Sequence, residues 1–135
     1  VDASNAKGPD TLVLLPLDPD DSARRLREGI RELAGVDVGV VVSDSFGRAW
    51  RRGTTDVALG VAGITPLLDL KGQRDSFGYE LHGTEIAVAD EIAGAAELVM
   101  GKTNGIPAAI VRGIHVAGHG RGADLVMPRD RDLFR

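Results

Sequence analysis

The apolar run Val40-Val41-Val42 stops abruptly at Ser43-Asp44-Ser45-Phe46-Gly47-Arg48-Ala49-Trp50-Arg51-Arg52-Gly53, so a carboxylate, two hydroxyls and three arginines follow a buried-looking segment. Such a run predicts a strand with both faces covered, and open α/β sheets bind their ligands just beyond the strand ends. Asp44 and Ser45 are therefore placed to hold a metal or a phosphate, with Gly47 supplying backbone freedom and Arg48 a cation. A turn capped by an aspartate accounts for the same residues equally well. Arg48, Arg51 and Arg52 flank Trp50. Guanidinium forks match phosphate and carboxylate geometry, so an anion site is favoured here over a solvated, salt-bridged loop.

Asp2-Ala3-Ser4-Asn5 offers a second carboxylate and an amide, at a spacing that suits an Asx turn or a nucleotide contact. It gains meaning if folding brings Asp2 to Asp44, because two carboxylates around divalent cations would neutralise a polyphosphate. Met100-Gly101-Lys102-Thr103 has the ending of a phosphate-binding loop, but the preceding glycine is missing and the segment closes a helix rather than opening one. A Walker loop is excluded. Lys102 can still reach a phosphate, although a lysine at a helix C-terminus first of all complements the helix dipole. His82, His115 and His119 are expected in exposed loops. Glu85, Asp90 and Glu91 are expected on the solvated face of a long helix rather than as a general base.

With 135 residues the chain is about one domain. It has no cysteine, which excludes disulfides, thiolate metal sites and a cysteine nucleophile, and leaves oxygen and imidazole as metal ligands. Hard cations such as magnesium or manganese follow. A formal charge of -4 and a pI of about 5.3 argue against a general nucleic-acid binder. No apolar run approaches a membrane span, so the expectation is a soluble, cytoplasmic protein. The chain opens at Val1 on a polar motif, as a piece of something longer would, and its sheet is expected to be incomplete without an N-terminal segment.

The elements that must position these groups are read as follows. Leu12–Leu15 predicts a short strand ending before Pro16. A helix follows, capped by the oxygens of Asp18 to Ser22, with Ala23, Leu26, Ile30 and Leu33 on one face and Gly35 as its stop. Val36–Val42 gives the next strand, which makes a crossover and at least one parallel pair. Val57–Ile64 is a strand with glycines at close approaches, 69–78 a loop, Thr84–Met100 a helix capped by Thr84, and Ile106–Val111 a last strand before the glycine-rich stretch 115–122. The fold class is α/β, with α+β as the alternative: a mixed β-sheet with flanking helices. Residues 1–128 form the domain and 129–135 an exit segment.

Taken together the segments resemble the coenzyme F420 gamma-glutamyl ligase family. The resemblance rests on Val1-Asp2-Ala3-Ser4-Asn5, Leu15-Pro16-Leu17-Asp18-Pro19-Asp20, Ser43 to Arg51, Ala62-Gly63-Ile64, Ala87-Val88-Ala89-Asp90-Glu91 and Leu98-Val99-Met100-Gly101-Lys102 leading to Val111-Arg112-Gly113, in family order along nearly the whole chain. It implies a dimeric mixed α/β enzyme that uses GTP to join L-glutamate to a deazaflavin precursor. Two divalent cations (Mg2+ or Mn2+) and K+ assist, and no residue acts as a covalent catalyst. Metal ligation transfers onto Asp2, Asp44 and Ser45, the last standing where many relatives carry threonine. Nucleotide contacts transfer onto Asn5 and the stretch containing Met100, Gly101 and Lys102. Asp132-Leu133-Phe134 resembles the junction of the two-domain actinobacterial form, in which a nitroreductase-like domain follows. This chain then corresponds to the C-terminal portion of the ligase domain. Substrate grips at Arg48 and Arg51 follow from charge, not from the resemblance. A metal-dependent phosphohydrolase with Asp44 as nucleophile, and a non-catalytic oligomerisation or ligand-binding module, are the rival readings.

Overall fold

The computed structural model describes residue 4, residues 6–8 and residues 10–133. Two helices flank an antiparallel hairpin. Helix α1 (Pro19–Ala34) begins where expected: Asp18 accepts a hydrogen bond from the Asp21 N–H, and Pro19 occupies the first turn, where its missing N–H costs nothing. Gly35 ends it in the left-handed region, at φ 68, with its N–H on the Arg31 carbonyl. Along the outer face, the Arg24 guanidinium lies between Asp21 and Glu28, and these carboxylates raise its pKa above the usual value.

Strand β1 (Val40–Gly47) pairs antiparallel with β2 (Thr54–Ala62). The expected parallel pair is not among the described strand pairings. Residues 12–15 form no strand among the described pairings, only a single bridge position at Val13, and Leu12, Val13, Leu14 and Leu15 are all exposed. The second correction is one of phase. β1 begins four residues later than the expected Val36 start and runs on through the polar residues to Gly47, because the chain turns back through residues 48–53 and β2 pairs with each of Ser43 to Gly47.

Register along the hairpin slips once. Val42 faces Gly60 and Ser43 faces Ala58, which leaves Leu59 as the extra residue of a bulge. Backbone N–H groups on the free edge of β2 find carboxylates in step with it. Asp56 donates to Glu97 and Ala58 to Asp90, both on α2; beyond the bulge Val61 donates to Asp20 on α1. The spacing of two and then three residues between these donors is the bulge read out in hydrogen bonds. Asp20 also accepts from Gly122 N–H, which ties the short 3-10 turn Gly122–Leu125 to the same edge. Close approach requires glycine at two of these contacts. A Cβ on Gly60 would lie 2.2 Å from the Pro19 carbonyl, and one on Gly122 would lie 2.3 Å from the Leu59 carbonyl oxygen.

Helix α2 (Val88–Met100) starts four residues after Thr84, with Ala87 at the cap position and no side-chain cap. Thr84 is engaged elsewhere: its carbonyl accepts from Leu70 N–H, and Glu85–Ile86 (β4) pairs with Leu68–Asp69 (β3). Glu85 therefore belongs to a strand. The segment between these two strands is the turn-rich loop expected, with Asp75 accepting from Phe77 and Tyr79 N–H groups. Residues 106–111 form no strand. Instead 116–120 runs beside the end of β2, with Thr65 N–H on the Val116 carbonyl and Gly120 N–H on the Ile64 carbonyl.

The core is small. Ala58, Val61, Ile64 and Ala89 form it, with Val41, Val116 and Leu125 packed against them. Small residues dominate because α1 and α2 both approach β2 closely. On their outer faces Leu33 and Leu98 are 92 % and 88 % exposed.

Candidate functional site

Asp44 and Ser45 lie inside β1, opposite Val57 and Asp56, rather than beyond its end. Both are half-buried. Successive strand positions project to opposite faces, so the two side chains reach a common edge only if one of them bends along the backbone. The Asp44 carboxylate does so: its Oδ1 accepts the Ser45 N–H at 2.8 Å. Its bond partner is its own neighbour, and among the described residues it joins no second element.

Ser45 Oγ meets the Lys102 ammonium at 3.0 Å, across 57 positions of sequence. Helix α2 makes this contact by ending at Met100. Gly101, at φ 61, donates its N–H to the Glu97 carbonyl and turns the chain towards β1. Beside Ser45 on the hairpin, Ser43 Oγ donates to Asp56 Oδ2 at 2.9 Å, and Asp56 N–H is held by Glu97. Strand oxygens, a carboxylate and an ammonium from three elements thus converge.

Of the residues singled out from sequence, Ser45 and Lys102 come together, with Met100 and Gly101 forming the turn that delivers the lysine and Asp44 next to Ser45 along the strand. Asp2 and Asn5 lie outside the described residues. Arg48 and Arg51 stand on the exposed hairpin loop, joined by an Arg51 N–H to Arg48 carbonyl bond of 3.3 Å. Between them Trp50 is 85 % exposed at φ 57, the left-handed conformation being uncommon for so large a side chain. The histidines are exposed as expected, His82 resting edge-on against Tyr79.

Asp90 corrects the sequence reading. It serves the Ala58 N–H rather than solvent, as Glu97 serves Asp56. The signal was present: the two acids stand seven apart, on one helix face, with buried Ala93 between them.

The donor set suits a hard divalent ion held partly by phosphate. Asp44 and Ser45 supply two oxygens, and among the described residues no group of three His, Cys, Asp or Glu side chains could hold a metal by itself. Magnesium keeps several waters and is bound through one or two carboxylates plus substrate phosphates, which is what so sparse a set can provide.

Comparison with known proteins gives a consistent answer. The family described as F420-0:Gamma-glutamyl ligase matches residues 1–113. The chain is 49 % identical to the coenzyme F420:L-glutamate ligase of Methanocaldococcus jannaschii over 138 aligned positions, covering all of this chain and 54 % of that protein. The proteins of the same name from Methanococcus maripaludis and Archaeoglobus fulgidus are 46 % and 45 % identical, each covered over 54 % of its length. The chain spans about half the length of the curated relatives it matches. No helix among the described residues is long and apolar enough to cross a membrane.

Proposed function

The chain belongs to the F420-0:gamma-glutamyl ligase family, and from that premise we propose that it is the part of a GTP-dependent ligase that joins L-glutamate to the terminal carboxylate of a deazaflavin coenzyme F420 precursor. A carboxylate does not react with an amine at a useful rate, so it must first be activated. In the proposed sequence a carboxylate oxygen of the precursor attacks the γ-phosphorus of GTP, the bond to the β,γ-bridging oxygen breaks, and GDP leaves. The glutamate amine then attacks the carbonyl carbon of the acyl phosphate, inorganic phosphate leaves with the former carboxylate oxygen, and the amine nitrogen gives up its proton.

Each residue has a part in this reading. Asp44 and Ser45, with Asp2, hold the divalent cations, whose chemistry is to neutralise and orient the triphosphate. Asn5 and the turn Met100-Gly101-Lys102 contact the nucleotide, and Lys102 brings a mobile positive charge to the phosphates. Arg48 and Arg51 grip the anionic groups of the precursor. Two divalent ions with K+, a homodimer and a cytoplasmic location belong to the same reading. The observation that supports it is the 3.0 Å contact of the Lys102 ammonium with the hydroxyl of Ser45, the residue next to Asp44.

The test is a reaction with GTP, Mg2+, L-glutamate and precursor labelled with heavy oxygen in its terminal carboxylate. The proposal predicts glutamylated product, GDP in equal amount, and one heavy oxygen in the released phosphate. Phosphate release that does not need glutamate, with no amide formed, would indicate a phosphohydrolase instead. Metal-independent self-association without nucleotide affinity would mark a non-catalytic module.

A further inference from the structure

We propose that Trp50 is the platform on which the flat ring of the deazaflavin precursor stacks, with Arg48 and Arg51 at its sides for the precursor's anionic groups; this rests on the precursor being the substrate of the neighbouring site. Arg51 N–H donates to the Arg48 carbonyl at 3.3 Å, which closes a four-residue turn with Ala49 and Trp50 at its corner. Trp50 holds φ 57 and is the one non-glycine with a positive φ among the described residues. The third position of a turn of this kind is normally given to glycine or asparagine, because a side chain crowds the backbone there. Here it carries the single tryptophan of the sequence.

Burial does not offset that cost. Trp50 is 85 % exposed, so its large apolar surface faces water. A strained backbone that presents an exposed indole has a physical rationale when a ligand covers the ring. The turn also sets the ligand's chemistry. Closing it brings the Cα atoms of Arg48 and Arg51 within about 7 Å of each other, so two guanidinium groups start from either side of the indole. A planar ring bearing anionic substituents matches that set. Stacking uses the face of an indole, and at this exposure no existing contact has to be given up.

GTP is also a flat ring with anionic groups, but the layout favours the precursor. The turn follows Ser45 by three residues of extended chain, about 10 Å, along the hairpin. Lys102 reaches Ser45 from the other side, off the end of α2. Phosphates held from the α2 side leave the hairpin tip to the second substrate. Its reactive carboxylate must lie at the γ-phosphate, and its ring, which takes no part in the chemistry, must lie away from it. Binding energy drawn from such a remote part holds the reacting end in place.

Equilibrium dialysis of the precursor against the full-length protein, with Mg2+ and a non-hydrolysable GTP analogue present, reads affinity without turnover. Trp50→Ala should weaken precursor binding about 10- to 100-fold, the scale of one lost stacking platform, Trp50→Phe should stay within about threefold of the parent, and affinity for the GTP analogue should be unchanged in both. A ringless analogue that carries the precursor's acid chain should bind the parent and Trp50→Ala alike. Trp50→Gly should bind precursor as poorly as Trp50→Ala yet melt at or above the parent, because glycine suits φ 57. Unchanged precursor affinity in Trp50→Ala, an equal loss for the ringless analogue, a loss that falls on the GTP analogue instead, or a Trp50→Gly that melts well below the parent, as a packing role would give, overturns the platform. The substrate assignment has its own readout: it stands if the parent forms glutamylated product from precursor and GTP, whatever Trp50→Ala does, and it falls, taking the platform with it, if the parent binds no precursor and forms no product.

Discussion

Two sets of carboxylates touch the β1–β2 hairpin and do different work. On the outer edge of β2, Asp20, Asp90 and Glu97 each accept a backbone N–H from an element distant in sequence, at separations of 41, 32 and 41 residues for Val61, Ala58 and Asp56. On β1, among the described residues, Asp44 accepts from the residue next to it. The first set joins helices to sheet, while among the described residues Asp44 bonds its own neighbour, Ser45, whose hydroxyl meets Lys102. Residue type cannot separate these roles. What separates them is whether removing the carboxylate would orphan a donor elsewhere in the fold.

That contrast can be broken by substitution, and the largest effect should fall on Asp44. Asp44→Asn is expected to lower ligation by at least about 100-fold, the scale on which a metal-held phosphoryl transfer suffers when a ligand is lost. Its unfolding free energy should move by less than about 0.5 kcal/mol. Next comes Asp20→Ala, which deprives both Val61 and Gly122 N–H groups of their acceptor. Urea unfolding should show a loss of about 2–3 kcal/mol, since each stranded donor costs in the range of 1–3 and these are partly buried.

Asp90→Ala strands one donor, that of Ala58, and should cost about 1–2 kcal/mol by the same measurement. If Asp90→Ala left stability untouched, the claim that α2 is tied to the strand edge by its acids would fail. The smallest effect is predicted for Ser43→Ala. It removes a hydroxyl bond to Asp56 that the charged carboxylate can replace with water, so stability should change by less than about 1 kcal/mol and ligation little.

How much of this was legible beforehand varies with the physics involved. Helix α1 could be read nearly to the residue because its signals are local: Asp18 caps it, Pro19 starts it and Gly35 stops it. The start of α2 was not, because Thr84 has the chemistry of a cap but is claimed by pairing with Leu70 and the short β3–β4 ladder, a non-local competitor. Leu12–Leu15 misled for a related reason. Its composition reports that burial would be favourable but not that a partner strand covers it. Within the site, the nature of Asp44, Ser45 and Lys102 could be suggested from type and order, but their convergence depends on a hairpin register, a bulge at Leu59 and the turn at Gly101. Asp90 was read as solvated, and Glu97 was not singled out, because charged residues on a helix usually face water, although the seven-residue spacing of Asp90 and Glu97 beside Ala93 carried the clue.

The most direct trial is to measure ligation rate and unfolding free energy on the same preparation of Asp44→Asn, with Asp90→Ala as its counterpart. A carboxylate devoted to chemistry predicts that Asp44→Asn melts with the parent while glutamylation collapses, and that Asp90→Ala loses stability and keeps its rate wherever it is folded. Glutamylation surviving in Asp44→Asn, or lost only in proportion to unfolded protein, would contradict the account.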